Sequence, residues 1–100
     1  MSPLPIPRLL IVDDDPNNIR LLASIFDQEY DILFALSGQE AIAISLRERP
    51  DLIILDVMMP DLDGYAVCKA IKNNSLTKDI PIVFLTAHCD AEEEIRGLEM

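Results

Sequence analysis

Three carboxylates and one hydroxyl in this sequence stand where a chain of its kind would do chemistry. Asp13 and Asp14 follow the apolar run Leu9-Leu10-Ile11-Val12, Asp56 follows Leu52-Ile53-Ile54-Leu55, and Thr86 follows Pro81-Ile82-Val83-Phe84-Leu85. Continuous apolar runs bounded by turn residues suit strands buried on both faces, as in a parallel sheet. Open α/β sheets collect their ligands beyond the carboxyl ends of the strands, which marks Asp56 as a candidate reactive carboxylate. In a doubly wound sheet of order 2-1-3-4, the first, third and fourth strands are neighbours. Asp13, Asp14 and Asp56 then converge, with the Thr86 hydroxyl beside them. Like charges that close raise one another's pKa and cost stability. A hard divalent cation removes the conflict, because Mg²⁺ takes a few carboxylate or carbonyl oxygens, keeps several waters and bridges to phosphate. It would also neutralise an incoming phosphoryl group, so that Asp56 could attack phosphorus and hold an acyl phosphate. Thr86 would donate to a phosphoryl oxygen, and a backbone carbonyl in the loop 57–59 would complete the metal shell.

The elements that must position these groups alternate along the chain. Residues 1–7 interleave proline with small or apolar residues and read as an extended tail. After the first strand, Pro16 suits the first position of a helix with Asp15 as its N-cap. Ile19, Leu22, Ala23 and Phe26, with Ile25 beside them, give that helix an apolar stripe. Asp31-Ile32-Leu33-Phe34-Ala35 is a second, shorter strand. Ser37-Gly38-Gln39-Glu40 has the spacing of a capping box and opens a helix through about Arg49, which Pro50 stops. The strand ending at Asp56 leads through a Pro/Asp/Gly loop into a helix from about Gly64 to Lys72, with Val67, Cys68 and Ile71 inward. After the fourth strand, Asp90 and Glu93 are placed to cap a last helix with Ala91, Ile95 and Leu98 inward. The alternation of strand and helix predicts an α/β fold, a parallel sheet with helices on both faces and right-handed crossovers.

Composition narrows the function classes. One hundred residues, half of them apolar, make one domain with a single core. A net charge of −10 disfavours nucleic acid and anionic membrane surfaces as direct partners. Cys68 and Cys89 have neither the number nor the spacing for a disulfide framework or a zinc site, and read as small buried hydrophobes. No stretch approaches the ~20 apolar residues of a membrane span. The proline-broken start has no basic region of the kind a signal peptide carries, so the expected location is cytoplasmic.

Several residues have a plainer structural reading. Asp15 is a helix cap, and Asp61 and Asp63 are turn and helix-start residues. A calcium loop is excluded, because its third ligand position falls on Tyr65 and no Glu falls at its twelfth. His88 is a lone surface histidine without a ligand partner at useful spacing. A Mg²⁺-dependent phosphohydrolase working through an aspartyl intermediate would want a second acid two residues after the nucleophile, where the chain has Met58. A flavin site is disfavoured because the first loop is acidic where a phosphate would sit.

Taken together and in order, three segments resemble the receiver domain of two-component response regulators. They are Leu10-Ile11-Val12-Asp13-Asp14-Asp15-Pro16, then Leu55-Asp56-Val57-Met58-Met59-Pro60-Asp61-Leu62-Asp63-Gly64, then Val83-Phe84-Leu85-Thr86-Ala87. The resemblance covers residues 8–100 and implies a flavodoxin-like doubly wound parallel sheet, of order 2-1-3-4 over this length. It implies that Asp56 accepts a phosphoryl group from a histidine kinase or phosphotransfer protein. Asp13, Asp14, Asp56 and the backbone carbonyl of Met58 would hold Mg²⁺. Thr86 would be the switch hydroxyl, with Ala87 as the small residue beside the phosphate. The role implied is regulatory: the domain would at most catalyse its own phosphotransfer and dephosphorylation, and would change the affinity of a partner or of an effector domain in a parent protein.

The resemblance also implies a fifth strand ending in Lys-Pro, a fifth helix and an aromatic switch position, which these 100 residues do not contain. None of Lys69, Lys72 and Lys78 falls at a strand end, so none takes the part of the lysine that pairs with the phosphoryl group. A second reading follows, in which this length of chain is a phosphorylation-incompetent receiver fragment that serves as a protein-binding module. The fourth strand, apolar on both faces, would then be an exposed edge open to self-association or domain swapping.

Overall fold

The four apolar runs pair side by side because each has two faces to bury and no polar face to give to water. In the computed structural model, which describes residues 6–85, they are β1 (Arg8–Val12), β2 (Asp31–Ala35), β3 (Leu52–Asp56) and β4 (Ile82–Leu85). They form one parallel sheet of order β2-β1-β3-β4, as the alternation predicts. The helices α1 (Pro16–Phe26), α2 (Gly38–Glu48) and α3 (Gly64–Lys72) connect them. The expected last helix, together with Thr86, Ala87, His88 and Cys89, lies outside the described residues.

Strand periodicity divides the core in two. Leu10, Val12, Ile53, Leu55, Ile82 and Phe84 pack on the α2 and α3 side against Ala41, Ile44, Val67, Cys68 and Ile71. Their alternates Leu9, Ile11 and Ile54 turn the other way, onto Ile19, Leu22, Ala23 and Phe26 of α1. Ile25 departs from the expected stripe and is 59% exposed. At 100° per residue it sits about 120° round the helix from Ile19, and its neighbour Leu21 shares the solvent side. Cys68 is fully buried, and burial pushes its thiol pKa up, which keeps it an unreactive core residue.

The helix ends follow local chemistry, with two departures. The Asp15 carboxylate accepts from the Asn17 N–H at 2.9 Å, and Pro16 occupies the first position of α1. Ser37 Oγ accepts from the Glu40 N–H at 3.1 Å. The reciprocal half of the capping box differs from expectation, because Glu40 Oε1 accepts from the Leu36 N–H at 2.7 Å rather than from Ser37. The second departure is Arg49, which ends α2 in the left-handed conformation at φ 49°. Pro50 follows immediately and its ring forbids the preceding residue from continuing the helix, so the chain reverses at a residue with a Cβ.

That conformation costs a non-glycine residue roughly 1 kcal/mol. Arg49→Gly removes the strain and loses some of the gain to the greater freedom of the unfolded chain. The substitution is expected to raise the unfolding free energy in urea by up to about 1 kcal/mol, and a fall would contradict the assignment of strain to this position.

Candidate functional site

The register of the two central strands sets the site. β1 and β3 run in parallel with Val12 beside Leu55, so the next residue along each strand is a carboxylate, Asp13 beside Asp56. Both have the parity of Ile11 and Ile54 and turn toward the α1 side of the sheet. Asp14 starts the loop into α1. One carboxylate oxygen from each of Asp13, Asp14 and Asp56 lies within 4.8 Å of the others. Asp13 is 2% exposed and Asp56 7%, whereas Asp14 is open to solvent. The site is therefore a cluster of two buried carboxylates and one exposed one at the carboxyl edge of the sheet.

The two buried residues are held by different bonds. Asp13 Oδ1 accepts from the Asp15 N–H at 2.9 Å and Oδ2 from the Asn18 amide at 3.2 Å. Asp56 Oδ1 accepts from the Met58 N–H at 3.2 Å. Burial pushes the Asp56 carboxyl up to about 6; the Met58 N–H opposes this, and the charges of Asp13 and Asp14 add to it. Charge crowding was the expected cause. The larger one is removal from water, because Asp56 terminates a strand that is buried on both faces.

The loop after Asp56 is tied down at three points. The Met58 N–H bond is the first. In the second, the Gly64 N–H donates to the Val57 carbonyl at 2.8 Å. Gly64 is required there, since a Cβ would stand 2.5 Å from the Asp56 carbonyl oxygen and 2.8 Å from Val57 Cα. The third tie is Asp61, whose Oδ1 accepts from the Gly38 N–H at 3.0 Å and Oδ2 from the Gln39 N–H at 3.1 Å. Those two N–H groups at the start of α2 hold the Asp61 carboxyl below its ordinary pKa, with the Leu62 N–H assisting. The expectation for Asp61 was a local turn residue. Its partners are the first two residues of α2, and nothing in the sequence near Asp61 signals them. Gly38 allows the close approach, because a Cβ there would meet Leu62 Cβ and Val67 Cγ2 at 2.7 Å. Asp63 is the expected helix-start residue and accepts from the Ala66 N–H at 2.8 Å.

The structure brings Asp13, Asp14 and Asp56 together as the sequence predicts, with the Met58 backbone next to Asp56. Thr86 and Ala87 lie outside the described residues. Lys72 is engaged elsewhere: its Nζ donates to the carbonyls of Ile80 at 2.6 Å and Lys78 at 3.1 Å, at the amino-terminal edge of the sheet. Three carboxylates with oxygen donors only, at this spacing, suit a hard divalent cation and suit soft metals poorly. No helix among the described residues is long and apolar enough to cross a membrane.

A family model described as the response regulator receiver domain matches residues 9–100. Among curated proteins, the chain is 43% identical over 93 residues to the response regulator PleD of Caulobacter vibrioides, covering 92% of this chain and 20% of that protein. It is 37% identical over 94 residues to the DNA-binding dual master transcriptional regulator RpaA of a Synechocystis strain, covering 93% of this chain and 39% of that protein. The chain thus spans well under half the length of these curated relatives. Among solved structures, the N-terminal domain of a response regulator receiver protein from Methanoculleus marisnigri superposes with a TM-score of 0.81 at 33% identity, covering 90% of this chain and 74% of that one.

The raised Asp56 pKa fixes a direction of pH dependence. Between the ordinary carboxylate value of 3.8 and about 6, the folded state holds more protons than the unfolded one. Stability without a cation therefore falls as pH rises through that window and is flat above it. The full shift corresponds to about 3 kcal/mol, which solvent screening on the side of the exposed Asp14 reduces to roughly 1–2 kcal/mol. In metal-free buffer at pH 7, Asp56→Asn is expected to be more stable than the parent by that amount, with the difference closing toward pH 4. A variant no more stable at pH 7, measured by thermal or urea unfolding, would contradict the assignment.

Proposed function

The chain belongs to the response regulator receiver family, and on that premise we propose that Asp56 is its phosphoacceptor in two-component signalling. The observation that carries the reading is the convergence of Asp13, Asp14 and Asp56 at the carboxyl edge of the sheet, with Asp56 buried. The donor would be a phosphohistidine on a histidine kinase or a phosphotransfer protein. Asp13, Asp14, Asp56 and the backbone carbonyl of Met58 would hold Mg²⁺. Bound there, the ion would supply positive charge that offsets both the crowded carboxylates and the phosphoryl oxygens.

The chain's own groups prepare the transfer. The Met58 N–H engages Asp56 Oδ1 and fixes the plane of the carboxylate, which leaves Oδ2 as the attacking oxygen. Above about pH 6 the carboxylate is ionised and nucleophilic. Oδ2 forms a bond to phosphorus as the bond from phosphorus to the donor imidazole nitrogen breaks. The imidazole leaves with the electron pair and takes a proton, and the product on this chain is an acyl phosphate on Asp56. Burial of Asp56 would limit the approach of water to that mixed anhydride. Thr86 would donate to a phosphoryl oxygen as the switch hydroxyl, and Ala87 would leave room beside it.

The output is a change of affinity rather than a reaction on a further substrate. The new phosphoryl charge would favour one arrangement of the surface around the fourth strand, and a partner or an effector domain would distinguish the two states. The receiver unit would span residues 8–100 and act in the cytoplasm. Its net charge of −10 favours partners that present basic surfaces, and nucleic acid is not among its direct ligands.

Intact mass measurement after incubation with acetyl phosphate and Mg²⁺ tests the reading. One phosphoryl adduct is expected on the parent, with none on Asp56→Asn and none when the metal is chelated. An adduct of equal yield on Asp56→Asn, or none on the parent, would overturn it.

A further inference from the structure

We propose that Asn18 is a positioning residue for the cation site: its side-chain amide holds the Asp13 carboxylate in the orientation that the ion needs. The inference rests on the cation reading of the preceding subsection and extends it to a residue outside the carboxylate cluster. Its starting point is an unusual use of the first turn of α1. Asp15 is the N-cap and Pro16 the first helical residue, so Asn18 is the third. A side chain at that position ordinarily turns back to the N–H of the cap. Here the cap N–H is already taken, since the Asp15 N–H donates to Asp13 Oδ1 at 2.9 Å. Asn18 turns back one step further, and its Nδ2 donates to Asp13 Oδ2 at 3.2 Å. Asp13 thus occupies the place of the capping-box carboxylate, although it precedes the helix, and Asn18 locks it there.

The lock matters because of what surrounds Asp13. A free carboxylate beside Asp14 and Asp56 would lower its energy by rotating away from them. Asp13 is 2% exposed, so it cannot do so by reaching solvent, and its two donors engage both oxygens. The Asp15 donor is backbone and present whatever the sequence. Asn18 is the side-chain donor, and only its amide NH₂ group can face a carboxylate as a donor. An Asp or Glu at 18 would add charge where the cluster already has too much, whereas the amide relieves it without adding a cation that would compete with the metal. Partners that orient a metal ligand in this way commonly contribute to affinity nearly as the ligand itself does.

Two alanine variants of the 100-residue chain test the assignment, each titrated with Mg²⁺ alone by calorimetry and melted without metal. Asn18→Ala removes the amide. Asn17→Ala alters the neighbouring position, whose backbone N–H donates to Asp15 Oδ1 and whose side chain makes no hydrogen bond to the described residues. Loss of an orienting partner of this type weakens metal binding by about 10-fold or more, and that is the expected change for Asn18→Ala. Asn17→Ala is expected to bind as the parent does. A residue that merely supports the helix start would lower the melting temperature and leave the Mg²⁺ constant unchanged, and that result would overturn the proposal. Equal weakening in the two variants would overturn it as well. If the parent chain itself takes up no Mg²⁺, the cation reading fails and this inference falls with it. If the parent binds and Asn18→Ala binds equally, only the role of Asn18 is lost.

Discussion

The structure depends on a conflict built into its central pair of strands. Parallel register sets Asp13 beside Asp56 one step beyond Val12 and Leu55, and burial of both strands takes those carboxylates out of water. A stability-optimised chain would place apolar or neutral residues there, as this one does from Leu9 to Val12 and from Leu52 to Leu55. The consequence is a carboxyl at Asp56 raised to about 6, chiefly by desolvation and further by the charges of Asp13 and Asp14. Energy stored in this way is released by anything that brings positive charge to the site, so on the proposed function one strain would serve both for retaining a cation and for receiving a phosphoryl group alongside it.

The rest of the fold keeps that conflict from relaxing. The loop after Asp56 is tied by Met58 to the carboxylate, by Gly64 to Val57 and by Asp61 to the start of α2. On the other side, Asp13 is bound to the first turn of α1 through Asp15 and Asn18. Each tie uses a backbone N–H or a neutral amide, groups that stabilise a carboxylate without neutralising it. Asp13 and Asp56 are therefore held in place by groups that bring no positive charge of their own. Sheet residues supply the rigidity and loop residues the aim.

The sheet and its carboxylates were legible because they rest on patterns with a short period. Four apolar runs each end in a polar residue or turn, and alternation with helical stripes leaves little freedom in their order, so Asp13, Asp14 and Asp56 converge on topology alone. The helix caps at Asp15, Ser37 and Asp63 were equally local. What escaped was set by distance or by competition. Asp61 bonds to Gly38 and Gln39, at the start of a helix far away in sequence, and a Pro-Asp pair reads as a turn until the fold closes. Asn18 reads as one of two interchangeable asparagines, and only its register on α1 selects it over Asn17 to meet Asp13. The left-handed Arg49 is a residue that propensity would exclude, and the following Pro50 overrides it. The dominance of burial over charge at Asp56 depends on how deeply the strand end sits, which spacing does not report.

Asp56 is a buried carboxylate whose pKa is raised in the absence of a cation. The most direct measurement is a carbon-detected NMR titration of the aspartate carboxyl groups, with Asp56 assigned by its loss in Asp56→Asn, run without metal and again with saturating Mg²⁺. A midpoint near 6 is expected without metal, with a fall to below the ordinary carboxylate value when Mg²⁺ is present. A midpoint near 4 without metal, or one that Mg²⁺ leaves unmoved, would contradict it.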